Sequence, residues 1–324
     1  MNQAVEYVCN KAQRLDIFLA DMLKESRSQV SQLIDKNCVY VDDNVVGKSG
    51  FKLKDNQIVR VVFPKQEQKE SQEIDFDVEI IYEDDDLLVI NKPSSLTVHP
   101  APSVKEHTLV DWLKYKGIKL STLSGDERHG IVHRLDKGTS GAMVIAKNNA
   151  AHQFLSTQLK DKSMGRYYIC VINPPLKNDI ITVEKKIARS THNRLKMSCD
   201  DKEGRDSKSI FSALALSKDE KNQLIACKLF TGRTHQIRVH LESLNRHILG
   251  DNIYAASLKS PKSERILLHA YMIYFVHPRT KETLFFVAEL DSYMKNFLLD
   301  KFDRERLNEI LETDYIKHSF SVCN

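Results

Sequence analysis

Two stretches near the start of the chain repeat apolar residues at helical spacing. Leu15, Phe18, Leu19, Met22 and Leu23 fall at i, i+3, i+4, i+7 and i+8, which predicts one buried face of a helix over residues 14–24. Val30, Leu33 and Ile34 repeat the spacing behind Ser26 or Ser28, either of which can cap a second helix. Asn37 suits the left-handed turn that ends one. The pattern then changes to that of strands. Residues 38–41 and Val45-Val46 read as a strand and its return across an Asp42-Asp43-Asn44 turn, and Ile58 to Phe63 as a further strand. Residues 65–75 hold a single apolar residue, so a linker is expected over 64–75.

Regular patterning resumes with Val78 to Tyr82 and Leu87 to Ile90, a predicted β-hairpin with a buried second strand. The acidic turn between them, Glu83 to Asp86, reads as a turn rather than a metal site, because no histidine or further carboxylate pattern supports ligation. Thr108 can cap a helix running to Gly117 with Leu109, Trp112 and Leu113 inward. Residues 129–147 then pass from a charged, glycine-rich half into the apolar run Met143 to Ala146. A functional loop on the lip of a sheet has this form, and so does an ordinary surface turn.

A helix over 149–160 with Phe154, Leu155 and Leu159 on one side and a strand from Tyr167 to Ile172 follow. Residues 185–208 interleave basic and acidic residues and read as a solvated hairpin, with RNA contact the lesser alternative. Paired strands are predicted at Ser209 to Leu216 and Leu224 to Phe230, then a helix capped by Thr234 and marked by Ile237, Leu241 and Leu244. Ile266 to Val276 and Thr283 to Leu290 are strand-rich. In the tail, Phe302, Leu307, Ile310 and Leu311 keep a roughly helical spacing that suits packing on the domain better than contact with a partner.

Composition narrows the class. With 324 residues, 41% apolar and 28% charged, the chain has room for two domains and falls among soluble globular proteins. No apolar run approaches the ~18 residues of a membrane span, and the N-terminus lacks the order of a signal peptide. A cytoplasmic location is expected. The cysteines, at 9, 38, 170, 199, 227 and 323, form no C-x-x-C pair and read as small hydrophobes. A net charge of +4 is compatible with a nucleic-acid partner without pointing to one.

The chemistry-bearing motifs are few. Phosphate-binding, dinucleotide-binding, zinc-protease and nucleophile-elbow patterns are all absent from the sequence. His133, His235 and His240 lie near basic residues rather than acids, so no metal is expected. What remains is Asp136 in a glycine-rich loop, and a second loop in which Arg233 and Arg238 open a helix. A lone carboxylate in a positive surround stays ionised and can serve as nucleophile or base; the same residues can equally form a structural ion pair.

The motifs resemble known families. Arg14-Leu15-Asp16, Ser26-Arg27-Ser28-Gln29 and Val39-Tyr40-Val41-Asp42 resemble the S4 RNA-binding module over about residues 13–63. Asn37 and Asp55-Asn56 depart from the module's usual Gly and Gly-Asp, and Asn tolerates the positive φ these turns need. Tyr82 to Pro93, His133-Arg134-Leu135-Asp136 and Gly232 to Arg238 resemble, in order, the motifs of the RluA-type pseudouridine synthases, and Leu268-His269-Ala270 and His277-Pro278 also fit.

The resemblance implies an α+β architecture. An S4 domain at 13–63 would precede a synthase domain at 76–299, built on a mixed, mostly antiparallel sheet flanked by helices and loops, with a helical tail at 300–324. It further implies an isomerase that acts on uridines of 23S ribosomal RNA, as a monomer and without a cofactor, since the reaction neither gains nor loses atoms. Ribosomal RNA, free or in an assembling particle, would be the partner. A tRNA-directed synthase and a non-catalytic RNA-binding or assembly protein are the alternatives. Asp136 matches the catalytic aspartate, Tyr168 (with Tyr167 beside it) the tyrosine that stacks on the target base, and Arg238 the basic residue that pairs with the aspartate. Arg134 fits an arginine that fills or widens the gap left by the base. The expected RNA contacts are Arg14 and Arg27 in the first domain and His133, Arg134, Arg233 and Gln236 in the second.

Overall fold

A computed structural model describes residues 4–23, 27–62, 74–100, 104–123, 128–255 and 263–321. Contacts divide the chain into two compact units, Met1–Ile74 with Thr122–His129, and Asp75–Ser121 with Gly130–Asn324. Ser26, Phe63, Cys323 and most of the expected linker lie outside the described residues.

In the first unit, helices Leu15–Leu23 and Arg27–Asp35 pack on an antiparallel sheet ordered Ala4–Val8, Ile58–Val62, Val39–Val41, Asn44–Val45. Leu15, Phe18, Leu19, Val30 and Ile34 meet Val39, Val41, Val59 and Val61 in one core, so the predicted faces are the buried ones. Met22, assigned to that face, is instead exposed in the helix's last turn. Asn37 and Asn56 adopt φ of 57° and 63°, the left-handed geometry that glycine would otherwise supply. The strand Ala4–Val8 was not apparent in the sequence. Its burial alternates only between exposed and partial, and its ladder partner stands some fifty residues on, Val5 facing Val61.

The second unit is built on a ten-stranded sheet. Its order is Ile180–Glu184, Lys208–Leu216, Gln223–Leu229, Gly165–Asn173, Leu268–Val276, Ser140–Ala146, Leu87–Lys92, Glu79–Glu83. His247–Ile248 and Thr283–Val287 pair onto Gly165–Asn173 and Leu268–Val276. Every pairing is antiparallel but one, that of Leu268–Val276 with Ser140–Ala146. There Gly141, at φ +114°, passes so close that a Cβ would sit 2.3 Å from the Ala270 carbonyl oxygen. Only glycine permits this approach, and it fixes where the preceding loop leaves the sheet.

Helix Leu109–Tyr115 carries the expected cap, a reciprocal box between Thr108 and Asp111, and Gly117 takes φ 67° after it. Residues 187–199 form a small, largely exposed hairpin. The tail folds as helices Arg304–Ile310 and Thr313–His318. Its Phe302, Leu307, Ile310, Ile316 and Phe320 join the core that holds Tyr167, Ile169 and Met272, so packing accounts for it.

The acidic turn does acquire a histidine, contributed by a distant strand end. Asp84, Asp86 and His277 bring three potential ligand atoms within 4.8 Å of one another. Those atoms are already engaged. His277 Nδ1 accepts from the backbone of Arg279 and Thr280, so its Nε2 carries the proton and donates to Asp84 at 2.8 Å. Asp84 also accepts from Tyr82, and Asp86 from Arg279 and Asn148 at 2.7 and 2.8 Å. The cluster clamps the hairpin to the end of Leu268–Val276, across the intervening strand Ser140–Ala146.

Candidate active site

The loop before Ser140–Ala146 is held from several sides. Gly138 donates its N–H to the Ser94 carbonyl at 2.7 Å, and Thr139 donates to the Asp136 carbonyl at 3.1 Å. Ser140 Oγ donates to His269 Nδ1 at 2.8 Å, and His269 Nε2 donates to the Ala288 carbonyl at 3.0 Å. Burial pushes that imidazole down to about 4, so it is neutral, as this bonding requires. Lys92 is fully buried and donates to the Pro93 and Leu96 carbonyls at 2.7 and 2.8 Å. Burial pushes its ammonium down to about 7, with Asp136 pulling the other way. The loop is thus anchored while Asp136 keeps a 19% exposed carboxylate facing a cleft.

Arg134, Asp136, Arg166, Tyr168, Arg233, His235 and Arg238 line that cleft. Tyr168 and Tyr167 point to opposite faces of their strand, as the period of two demands. Tyr167 packs in the core against Tyr274 and Phe320, and Tyr168 faces the cleft. The ladder is irregular at this point. Tyr167 pairs with Met272 and Ile169 with His269, so Ala270 and Tyr271 stand opposite Tyr168 alone, a bulge of the kind that re-aims a side chain.

Arg238 does reach Asp136, but as its second partner. Nε and Nη2 donate to the two oxygens of Asp251 at 2.7 Å each, while Nη1 stands 3.9 Å from Asp136 Oδ2. Asp251 Oδ1 also accepts the N–H groups of Ile253 and Tyr254 at 2.9 and 3.0 Å. Burial acts to lower the Arg238 pKa, but the Asp251 bonds outweigh it and hold the guanidinium above its ordinary value. Burial acts to raise Asp251, and Arg238 in turn holds it below the usual carboxylate range. The Arg238 guanidinium also lies over the Tyr254 ring, 4.9 Å from its centroid.

His235 closes the ring of contacts. Its Nδ1 lies 2.9 Å from the Tyr254 hydroxyl and its Nε2 3.9 Å from Asp136 Oδ2. Burial lowers its pKa, against the pull of Asp136. His235, not Thr234, caps helix Gln236–Glu242, in a left-handed conformation with φ 57° and without a side-chain bond to the helix's own N–H groups.

Two expected RNA contacts are corrected by burial. His133 is buried, its Nε2 accepts the Val144 N–H at 3.2 Å, and burial first and Arg166 second push it down to about 3. It is a neutral internal acceptor. Gln236 is buried with its whole amide in use, accepting from Thr231 Oγ1 and the Arg233 N–H and donating to Lys208 O and Ser209 Oγ. It shapes the loop and has no group left for a base. Arg134 is exposed at the cleft, and Arg233 is half-buried there with Nε on the Asp206 carbonyl. In the first unit, Arg14 and Arg27 are exposed and both bond the buried Asp16.

Asp251, Tyr254, Lys92, Arg166 and the placement of His235 escaped the sequence reading. Gly250-Asp251 carried the one available signal, a glycine before an isolated acid. At φ 78° a Cβ on Gly250 would lie 1.9 Å from the Arg265 carbonyl oxygen.

Comparison with known proteins agrees with this architecture. Residues 86–243 match the RNA pseudouridylate synthase family and residues 13–59 the S4 domain. An uncharacterized RNA pseudouridine synthase of Helicobacter pylori (strain 26695) is 50% identical over 313 residues, covering 95% of each chain. The ribosomal large subunit pseudouridine synthase D of Zymomonas mobilis is 36% identical over 87% of this chain and 92% of its own. Among solved structures, human RNA pseudouridylate synthase domain containing 1 shares the fold, with TM-score 0.58 and 23% identity over 75% of this chain and 98% of its own. The chain belongs to the RluA-type RNA pseudouridine synthases, isomerases of uridine in RNA, in the form that carries an S4 domain ahead of the synthase domain.

Proposed function

We propose that the chain isomerises uridines of 23S ribosomal RNA at the cleft containing Asp136, with Tyr168 and Arg238 as its companions. One observation carries the site: a partly exposed carboxylate faces a cleft that also contains a tyrosine ring and a buried arginine fixed by a second carboxylate. The large-subunit name of the Zymomonas mobilis relative and the S4 domain support the substrate.

The chemistry follows from the reaction. The C1′–N1 bond breaks, the uracil rotates, and C5 bonds to C1′. Asp136 acts on the nucleotide at C1′, at C6 or at the C2′ proton, and each route calls for one ionised carboxylate. The uridine must leave its stack, which costs about a few kcal/mol. Stacking on the Tyr168 face returns about 1–3 kcal/mol of it. Arg238, fixed by Asp251, aims and electrostatically supports Asp136, and the exposed Arg134 enters the gap left in the RNA. Arg233 at the cleft and Arg14 and Arg27 on the S4 domain contact phosphates. The enzyme acts as a monomer on rRNA, free or in an assembling particle.

Mapping pseudouridines in total RNA from cells with and without the gene tests the substrate. Loss of one or more 23S positions is expected. Unchanged rRNA with lost tRNA positions would transfer the proposal to tRNA, and no change at any position would refute it.

A further inference from the structure

Among the described residues, Arg166 is a buried guanidinium without a partner. It is 7% exposed, its Nε meets no hydrogen-bond acceptor, and none of its nitrogens makes an ion pair. Burying a cation without a counter-charge costs stability. Such a group calls for a ligand that supplies the missing negative charge.

Its position indicates which ligand. Arg166 lines the same cleft as Asp136 and Tyr168. Arg166 and Tyr168 are two residues apart on one strand and so share a face, about 7 Å from each other. The guanidinium lies against Gly232, where a Cβ would come within 3.0 Å of Nη1 and 3.4 Å of Nη2. Its charge is felt on the Tyr168 hydroxyl, which burial raises while Arg166 draws it down and Asp136 pushes it up. A base stacked on Tyr168 would therefore have its edge beside Arg166 and its sugar toward Asp136.

We propose that Arg166 is a catalytic residue that donates hydrogen bonds to a carbonyl oxygen of the target uracil as that ring gathers negative charge. The inference rests on the reading of the Asp136 cleft as the catalytic site. When C1′–N1 breaks, the bonding pair leaves with N1, and the resulting uracil anion spreads its charge over O2 and O4. Attack at C6 likewise sends charge to O4. When C5 bonds to C1′, the pair is returned, the C5 proton is lost and N1 takes one up, so atoms and charge balance. The guanidinium binds this anionic stage more tightly than neutral uridine, which is what lowers a barrier. A backbone phosphate is the poorer fit, because the exposed Arg134 and half-buried Arg233 already present cations at the cleft.

The test compares wild type, Arg166→Met and Arg166→Lys in single turnover, with enzyme in excess over total RNA from cells lacking the gene. RNA affinity and melting temperature are measured alongside. Arg166→Met is expected to slow pseudouridine formation at least about 100-fold, with RNA affinity within about threefold because phosphate contacts set it. Its melting temperature should hold or rise, since a buried unpaired charge is removed, and Arg166→Lys should be intermediate in rate. An unchanged rate would overturn the inference. So would weakened affinity with a shallower salt dependence and a normal rate, which marks a phosphate anchor. A fall in melting temperature together with rate would mark a structural role and overturn it as well. Absence of product with wild-type enzyme would overturn the site reading itself.

Discussion

The pivot of the site is Arg238, whose short bonds go to Asp251 rather than Asp136. A bidentate pair fixes the plane of a guanidinium, and that plane determines how Nη1 addresses the Asp136 carboxylate. Asp251→Asn keeps the shape but removes the charge. It is expected to reduce single-turnover pseudouridine formation by about tenfold or more, with RNA affinity unchanged, because affinity resides in phosphate contacts. Asp251→Ala removes both short bonds of the buried Arg238 and leaves it only the longer contact with Asp136 at 3.9 Å, and urea unfolding should show a loss of about 3 kcal/mol. This partner was not legible because a loop carboxylate has no periodic signature. His133 and Gln236 erred in the opposite direction. A polar residue in a polar loop reads as surface, yet Gln236 is buried because it finds four partners, and His133 is buried with one ring nitrogen, Nε2, on the Val144 amide and Nδ1 without a partner.

At the scale of elements most of the fold was legible, because its signals are local. Thr108 with Asp111, the Asn37 and Asn56 turns, and the apolar faces around Leu19 and Leu155 each decide a few neighbouring residues. Elements defined by distant partners were not, as the strand Ala4–Val8 shows. The two S4 helices are also joined by charge. Asp16, in the first turn of one, bonds Arg14 beside it and Arg27 at the start of the other. The Arg14 bond first, against some desolvation, and then Arg27 hold its carboxyl down to about 2. A depressed carboxyl stabilises the fold above its unfolded pKa, so this contribution is complete above pH ~4 and lost as pH falls through ~2. Water around the half-exposed arginines screens it to about 1 kcal/mol. Asp16→Asn should lower the melting temperature near neutrality, and its difference from wild type should shrink as pH falls from 4 to 2.

At the scale of the molecule, the order of strands assembles the site. The single parallel pairing seats the Asp136 loop beside Leu268–Val276, and Gly165–Asn173 on that strand's other edge carries Tyr168 and Arg166. No periodicity announces such an order, which is why a motif could point to Asp136, Tyr168 and Arg238 but not to Arg166 or to the contacts among them. The proposed function separates two tasks: lysines and arginines hold RNA, and one carboxylate performs the isomerisation. Measuring RNA affinity and pseudouridine formation together for Asp136→Asn tests that separation most directly. Affinity within about threefold of wild type is expected, since the phosphate contacts are untouched, together with no pseudouridine. Normal turnover by that variant would contradict that separation.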